Sequence, residues 1–187
     1  APRTRSSPIT WTALPPGAHL LGLCQSVVPC FAAAALMEQA GDAARPASLI
    51  LMAGPIDPRI RPTRVAQMIR AQSLDTLAAC AATPVTPPWA GAGRRVYAAE
   101  TQRSGLMAHL ARHMATGKEL RRKTLNDDGA DPLRHPFIKH YLALMDVPGE
   151  VFIDTMRLVF HETALPRGNL RWRGVRVEGE ALERTAL

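Results

Sequence analysis

The sequence predicts an α/β fold in which a short parallel sheet is followed by a mainly helical layer, and three observations carry that expectation. An apolar run, His19-Leu20-Leu21-Gly22-Leu23, leads straight into an Ala-rich helical stretch from Val27 to Ala40. A second apolar run, Ser48-Leu49-Ile50-Leu51-Met52-Ala53, ends in Gly54-Pro55-Ile56-Asp57-Pro58, a strong turn signal. Beyond Asp57 the apolar residues recur at helical spacing instead.

Each element has a local reason. Residues 1–17 hold four prolines and no period, so they read as irregular. His19 to Leu23 is compatible with a buried strand. Pro29 is tolerated because it sits near the first turn of the helix that follows, where amides lack internal partners. Gly41 supplies that helix's stop. Strand, helix and strand within about 35 residues make one βαβ unit, with parallel strands and a right-handed crossover. Val65, Met68, Ile69 and Gln72 share one helical face after Pro62. Residues 83–93 (TPVTPPWAGAG) read as a Pro/Gly linker. Helical spacing returns at Leu106, Met107, Leu110 and Met114, then at Phe137, Ile138, Tyr141, Leu142 and Met145. A last helix is expected over Val151, Phe152, Met156, Val159 and Phe160, with Asp146 and Pro148 at its start. Arg171 to Val177 reads as a short extended piece. The expected division is 1–58 for the sheet-bearing core and 59–187 for the helical region.

Composition narrows the function classes. The chain has 187 residues, 47% of them hydrophobic and 21% charged, which is ordinary for a globular protein. The net charge is +7, which by itself invites a polyanionic partner. However, 20 Arg stand against 3 Lys and are scattered along the chain. The densest stretch, Lys118-Glu119-Leu120-Arg121-Arg122-Lys123, includes an acid and no interleaved aromatic residue. No nucleic-acid partner is expected. The three cysteines, Cys24, Cys30 and Cys80, make no disulfide framework, and a reduced, cytoplasmic setting is expected. Neither a signal peptide nor a run of about 20 apolar residues is visible, so no membrane span is expected.

Chemistry concentrates at Gly22-Leu23-Cys24-Gln25-Ser26. This is small-x-nucleophile-x-small between a strand and a helix, the pattern of a nucleophile elbow with Cys in place of Ser. A strand turning sharply into a helix forces its apex residue into strained φ/ψ and exposes its side chain above the sheet. Gly22 and Ser26 must then be small, because their Cβ positions crowd together. A helix N-terminus behind the thiol favours negative charge there. The Gln25 amide is the expected oxyanion-hole donor.

Residues 15–63, PPGAHLLGLCQSVVPCFAAAALMEQAGDAARPASLILMAGPIDPRIRPT, resemble intracellular polyhydroxyalkanoate (polyhydroxybutyrate) depolymerases. The match lies in the lipase-box-like G-x-C-Q, the Ala-rich helix with its Pro, and the strand ending in G-P-I-D. Residues 137–177 are similar to the helical C-terminal region of the same family. The resemblance implies a fragment of an α/β-hydrolase fold with a helical cap or C-terminal region. It also implies hydrolysis of polyester ester bonds by a Cys–His–Asp triad, with Cys24 as the Cys, and no cofactor. Its expected partner is the polyester chain of a storage granule, at whose surface the protein would work. Ser26 departs from the Pro of many relatives but keeps the position small.

The resemblance places the triad acid and His after later strands. Ala181 to Leu187 look like the start of the strand that precedes the acid, so both groups are expected outside this chain. Within it, Asp57 at the tip of the second strand is the best acid candidate, although its ordinary role as a turn residue before Pro58 is the favoured reading. None of the six histidines follows a strand, and none is assigned to a triad. His109 and His113 have i,i+4 spacing but lack the Glu of H-E-x-x-H and a third ligand, so no metal site is expected. Two other readings compete. One is a polyhydroxyalkanoate synthase-like acyltransferase, whose box normally ends C-x-G-G rather than the Cys24-Gln25-Ser26-Val27 found here. The other is a non-catalytic relic fragment.

Overall fold

The computed structural model describes residues 17–116 and 142–187. Strand β1 is His19–Leu23, followed by a 3-10 turn at Cys24–Ser26 and helix α1 at Val27–Gln39. Strand β2 is Ser48–Met52. The two strands pair in parallel, with Leu21 opposite Ile50 and Leu23 opposite Met52. The βαβ unit is therefore present with the expected order and direction. Helix α1 ends at Gly41, whose φ is 63°. There Gly41 N–H donates to Glu38 O at 3.0 Å and Asp42 N–H to Met37 O at 2.9 Å. This is the Schellman closure that a left-handed glycine permits.

Helix α1 is apolar on more than one side, so it must be covered on more than one side. Cys30 and Ala34 face Leu49, with Leu20 and Leu51 packed beside them. Val28 and Ala35 face Ala164, Leu170 and Val177. Residues Met156–Leu187 thus return to cover the helix. Together with the residues up to Ala71 they form one compact unit, and Gln72–Thr155 form a second. The last 32 residues (156 to 187) thus belong with the N-terminal βαβ unit, where they pack on α1.

The returning segment is fixed by a buried acid that sequence patterns do not flag. Glu38 has 3% side-chain exposure and lies 2.8 Å from Arg184 Nε. Its Oε2 lies 2.8 Å from the Thr185 hydroxyl, and Arg45 sits 3.8 Å away. Burial works against the charge, but the Thr185 and Arg184 hydrogen bonds outweigh it and hold the carboxyl below its ordinary pKa. Two residues later, Ala186 pairs in parallel with Ser48. Its carbonyl accepts from Leu49 N–H at 2.7 Å and its N–H donates to Ala47 O at 3.1 Å.

In the first unit, α2 (Arg64–Arg70) starts at Thr63, whose hydroxyl accepts from Ala66 N–H, an ordinary N-cap. The final expected helix changes character instead of running through. Its first part, Gly149–Thr155, is α-helical, and Met156–His161 is a π-helix. Strands β6 (Arg171–Trp172) and β7 (Val175–Arg176) form a hairpin. Its turn residues Arg173 and Gly174 have φ of 50° and 84°, the two left-handed positions that a tight hairpin requires.

The second unit adds a small sheet to the mainly helical region expected there. Helix α3 (Leu74–Cys80) is capped by Ser73. It precedes β3 (Thr83–Pro84) and β4 (Arg95–Tyr97), then α4 (Ala99–Thr116). Strand β5 (Val147–Pro148) and helix α5 (Gly149–Thr155) complete the unit. Strands β3, β4 and β5 make a three-stranded antiparallel sheet. The segment read as a linker is the arm of a hairpin: Val85 N–H donates to Arg94 O and Gly93 N–H to Val85 O, both at 2.8 Å. The helix expected over Phe137 to Met145 lies outside the described residues as far as Tyr141, and Leu142 to Met145 are not helical. That stretch runs into β5, where Val147 pairs with Tyr97, and Asp146 accepts from Ala99 N–H at 2.8 Å. Phe152 of α5 closes the unit on Tyr97, with ring centroids 4.3 Å apart. The mixture of helices and small sheets is compatible with the α/β class. Among the described residues no helix is long and apolar enough to cross a membrane.

Candidate active site

Cys24 sits where β1 gives way to the 3-10 turn and α1, and its φ is 56°. A left-handed backbone is costly for a residue with a Cβ, by about 1–2 kcal/mol. The backbone around it is closely packed. A Cβ on Gly22 would lie 3.1 Å from Cys30 Cβ and 3.2 Å from Val27 Cα. Ser26 does more than stay small. Its hydroxyl accepts from Leu23 N–H at 2.8 Å and donates to Leu23 O at 2.9 Å, tying the last strand residue to the first helical turn. The thiol of Cys24 is exposed, as is Gln25.

Strand β2 ends in the same manner. Ala53 has φ of 53°, and the turn it makes lays Gly54 against the elbow. A Cβ on Gly54 would overlap the Cys24 carbonyl oxygen and the Val27 side chain. Sequence reasoning took Gly54 for a turn residue only. The G-P-I-D spacing was the available signal, but a close approach between neighbouring strand ends is not visible in a single strand.

The other candidates fall in ordinary places. Asp57 accepts from Arg59 at all three of its reachable donors: backbone N–H at 3.0 Å, Nε at 2.8 Å and Nη2 at 2.7 Å. The Arg59 side-chain bonds, against a counteracting effect of burial, hold its pKa at about 2. This is the geometry of a turn locked by an ion pair. Cys30 is buried against the sheet, and burial pushes its thiol pKa up. Cys24, Cys30 and Cys80 are all free thiols.

Of the histidines, His19 begins β1 and hydrogen-bonds Ser48 through Nδ1 at 2.7 Å, at the opposite end of the strand from Cys24. His161, in the π-helix, buries Nε2 with no partner among the described residues. The side chains of His109, His113, His135 and His140 lie outside the described residues. Among the described residues no three His, Cys, Asp or Glu side chains are grouped to hold a metal.

Neither a curated protein nor a solved structure matches the chain. A family model, described as PHB de-polymerase C-terminus, matches residues 53–187. The match begins just past β2, so it contains Gly54 and Asp57 but not Cys24. Since it spans well over half of the sequence, the chain belongs to the PHB depolymerase family.

Proposed function

We propose that the protein hydrolyses ester bonds of polyhydroxybutyrate or a related intracellular polyester, with Cys24 as the nucleophile. Family membership implies the polyester as substrate class. The observation that carries the assignment of Cys24 is its φ of 56° between a parallel strand and a helix, held by Gly22, Ser26 and Gly54. Strain of this kind clusters where a side chain must be presented for chemistry.

In the reaction the Cys24 sulfur adds to the ester carbonyl and its proton leaves to a general base. The carbonyl oxygen, now negative, is met by the Gln25 amide N–H, which acts on charge that develops only in the transition state. Collapse expels the alcohol end of the polymer, which takes up a proton, and leaves an acyl thioester on Cys24. Water then attacks the thioester, releasing the carboxylic acid and restoring the thiol. A His–acid pair supplies the base, as the family resemblance implies. Asp57 is not assigned to that pair, because Arg59 occupies both of its oxygens. The setting we propose is the cytoplasmic surface of polyester granules.

The test is hydrolysis of amorphous polyhydroxybutyrate granules by the full-length protein. Cys24→Ala should abolish product release, while Cys30→Ala and Cys80→Ala should retain most of it. Equal losses from all three would refute the assignment of the nucleophile.

A further inference from the structure

Gly54 and Asp57 are the two ends of a loop with little slack. Gly54 meets the Cys24 carbonyl oxygen and the Val27 side chain so closely that a Cβ would overlap both. Pro55 and Pro58 fix φ at their own positions. Each also biases the residue before it, Gly54 and Asp57, away from helical backbone. Within the loop that leaves Ile56, itself half-buried, as the residue without such a restriction. A displacement at Asp57 is therefore passed on to Gly54.

The far end is fastened at Asp57. Its carbonyl oxygen accepts from Ile60 N–H at 3.1 Å, and its carboxylate accepts from Arg59 N–H at 3.0 Å. Those two bonds already close the turn. The Arg59 guanidinium adds a fork across both carboxylate oxygens, at 2.8 and 2.7 Å. An exposed ion pair would hold such a loop weakly. This one is bidentate, and the Asp57 side chain is only 13% exposed. The charge of Arg167, in the returning segment, also acts on Asp57. Arg167 is itself held, its Nε donating to the Thr163 hydroxyl at 2.8 Å.

We propose that Asp57 and Arg59 form a clamp that positions the nucleophile. By fixing the loop after β2 they hold Gly54 against the Cys24 carbonyl, and so keep Cys24 at its left-handed backbone angles. Asp57 acts through Gly54, and Arg59 acts through Asp57; neither is a catalytic residue. The clamp rests on the assignment of Cys24 given above and adds two positioning residues to it.

Two measurements on the full-length protein test it, both made well below the lowest melting temperature among the variants. The first is turnover of p-nitrophenyl butyrate by Asp57→Asn and Arg59→Ala. Each should lower kcat about tenfold or more and leave KM within about twofold, because the ester still binds but meets a misplaced thiol. The double variant should lose no more than either single one, as residues of one device do. Were Asp57 a triad acid, Arg59→Ala would free its oxygens, and kcat would hold or rise. Were the pair only a start for α2, both variants would melt earlier with kcat unchanged. Either result overturns the proposal. The second is the rate at which iodoacetamide alkylates Cys24, resolved by site with mass spectrometry and referred to Cys80, which is also exposed. The ratio should fall about fivefold or more in both variants, since thiol reactivity follows its presentation and surroundings. If the unsubstituted protein hydrolyses no ester, the hydrolytic reading fails, and the alkylation ratio decides the clamp by itself. A fall sustains the clamp, and a ratio unchanged in both variants overturns it.

Discussion

Gly54 lies against the carbonyl oxygen of Cys24 so closely that no Cβ fits between them. The ends of two neighbouring parallel strands are thereby locked into one another. The strained backbone of Cys24 is held partly by a residue 30 positions further along the chain, from 24 to 54.

Gly54→Ala is expected to disrupt the elbow without touching the thiol. Overpacking of this kind costs about 1–3 kcal/mol, read as a lower denaturation midpoint. Granule hydrolysis should fall at least as far as in Gly22→Ala, where the nearest contact of an added Cβ is 3.1 Å. A Gly54→Ala protein with full stability and full turnover would show that the close approach is not needed.

Ser26→Ala should test the tie across the turn. Both hydrogen bonds to Leu23 disappear, at a cost of about 1 kcal/mol if water replaces them. Ser26→Pro, the residue found at this place in many of the proteins the sequence resembles, should be tolerated better than a bulky residue such as Leu. Comparison of thermal midpoints across the three variants decides it.

Glu38→Ala is expected to loosen residues 184–186 from α1 and β2. The buried Thr185 hydroxyl keeps only Pro46 O, 2.9 Å away, and the segment loses its charged anchor at a cost of about 1–3 kcal/mol. Faster amide exchange at Leu49 and Ala186 would report the loss. Unchanged protection there would mean that the apolar contacts of Leu182 suffice.

Acid should act through Asp57 in a narrow window. Its pKa is depressed from 3.8 to about 2, so its contribution to stability is present above about pH 4. That contribution is lost as the pH falls towards about 2. Arg59→Ala should move the Asp57 titration upward, measurable by carboxyl NMR. A titration that stays near 2 in that variant would show that Arg59 is not the cause.

The outer face of the small sheet predicts self-association. Leu21, Leu23, Ile50 and Met52 are each about half exposed on β1 and β2, and parallel sheets normally have both faces covered. The protein should elute as oligomers or aggregates, and the pair Leu21→Lys, Ile50→Lys should shift it toward monomer. A monomer before substitution would contradict this.

Residues 17–58 were legible because their signals are local, while the stretch before them, read as irregular, lies outside the described residues. A run of apolar residues, a small-Cys-small turn and an Ala-rich helix ended by Gly41 each declare themselves within a few positions. The antiparallel sheet of the second unit was not legible, since strands of two or three residues are too short to show a period of two. Val147 and Pro148 looked like a helix start because Pro is equally at home there, and only pairing with β4 makes them a strand. Glu38 gave no signal at all. An acid on an apolar helix is normally read as a solvent-facing position, and its partners Arg184 and Thr185 lie near the far end of the chain. At the elbow the residue pattern located Cys24, Gly22 and Ser26, but the contribution of Gly54 belongs to the meeting of two strands.

Helix α1 is completed by residues far downstream, with Glu38 bonded to a side chain 146 positions later. During synthesis at about 5–20 residues per second, the helix would wait roughly 7–30 s for that partner to be made. Until then its Ala- and Val-rich second face is open on the ribosome-bound chain. Contacts this distant in sequence close late, so the packing around α1 is expected to form more slowly than the local hairpins on refolding after dilution from denaturant.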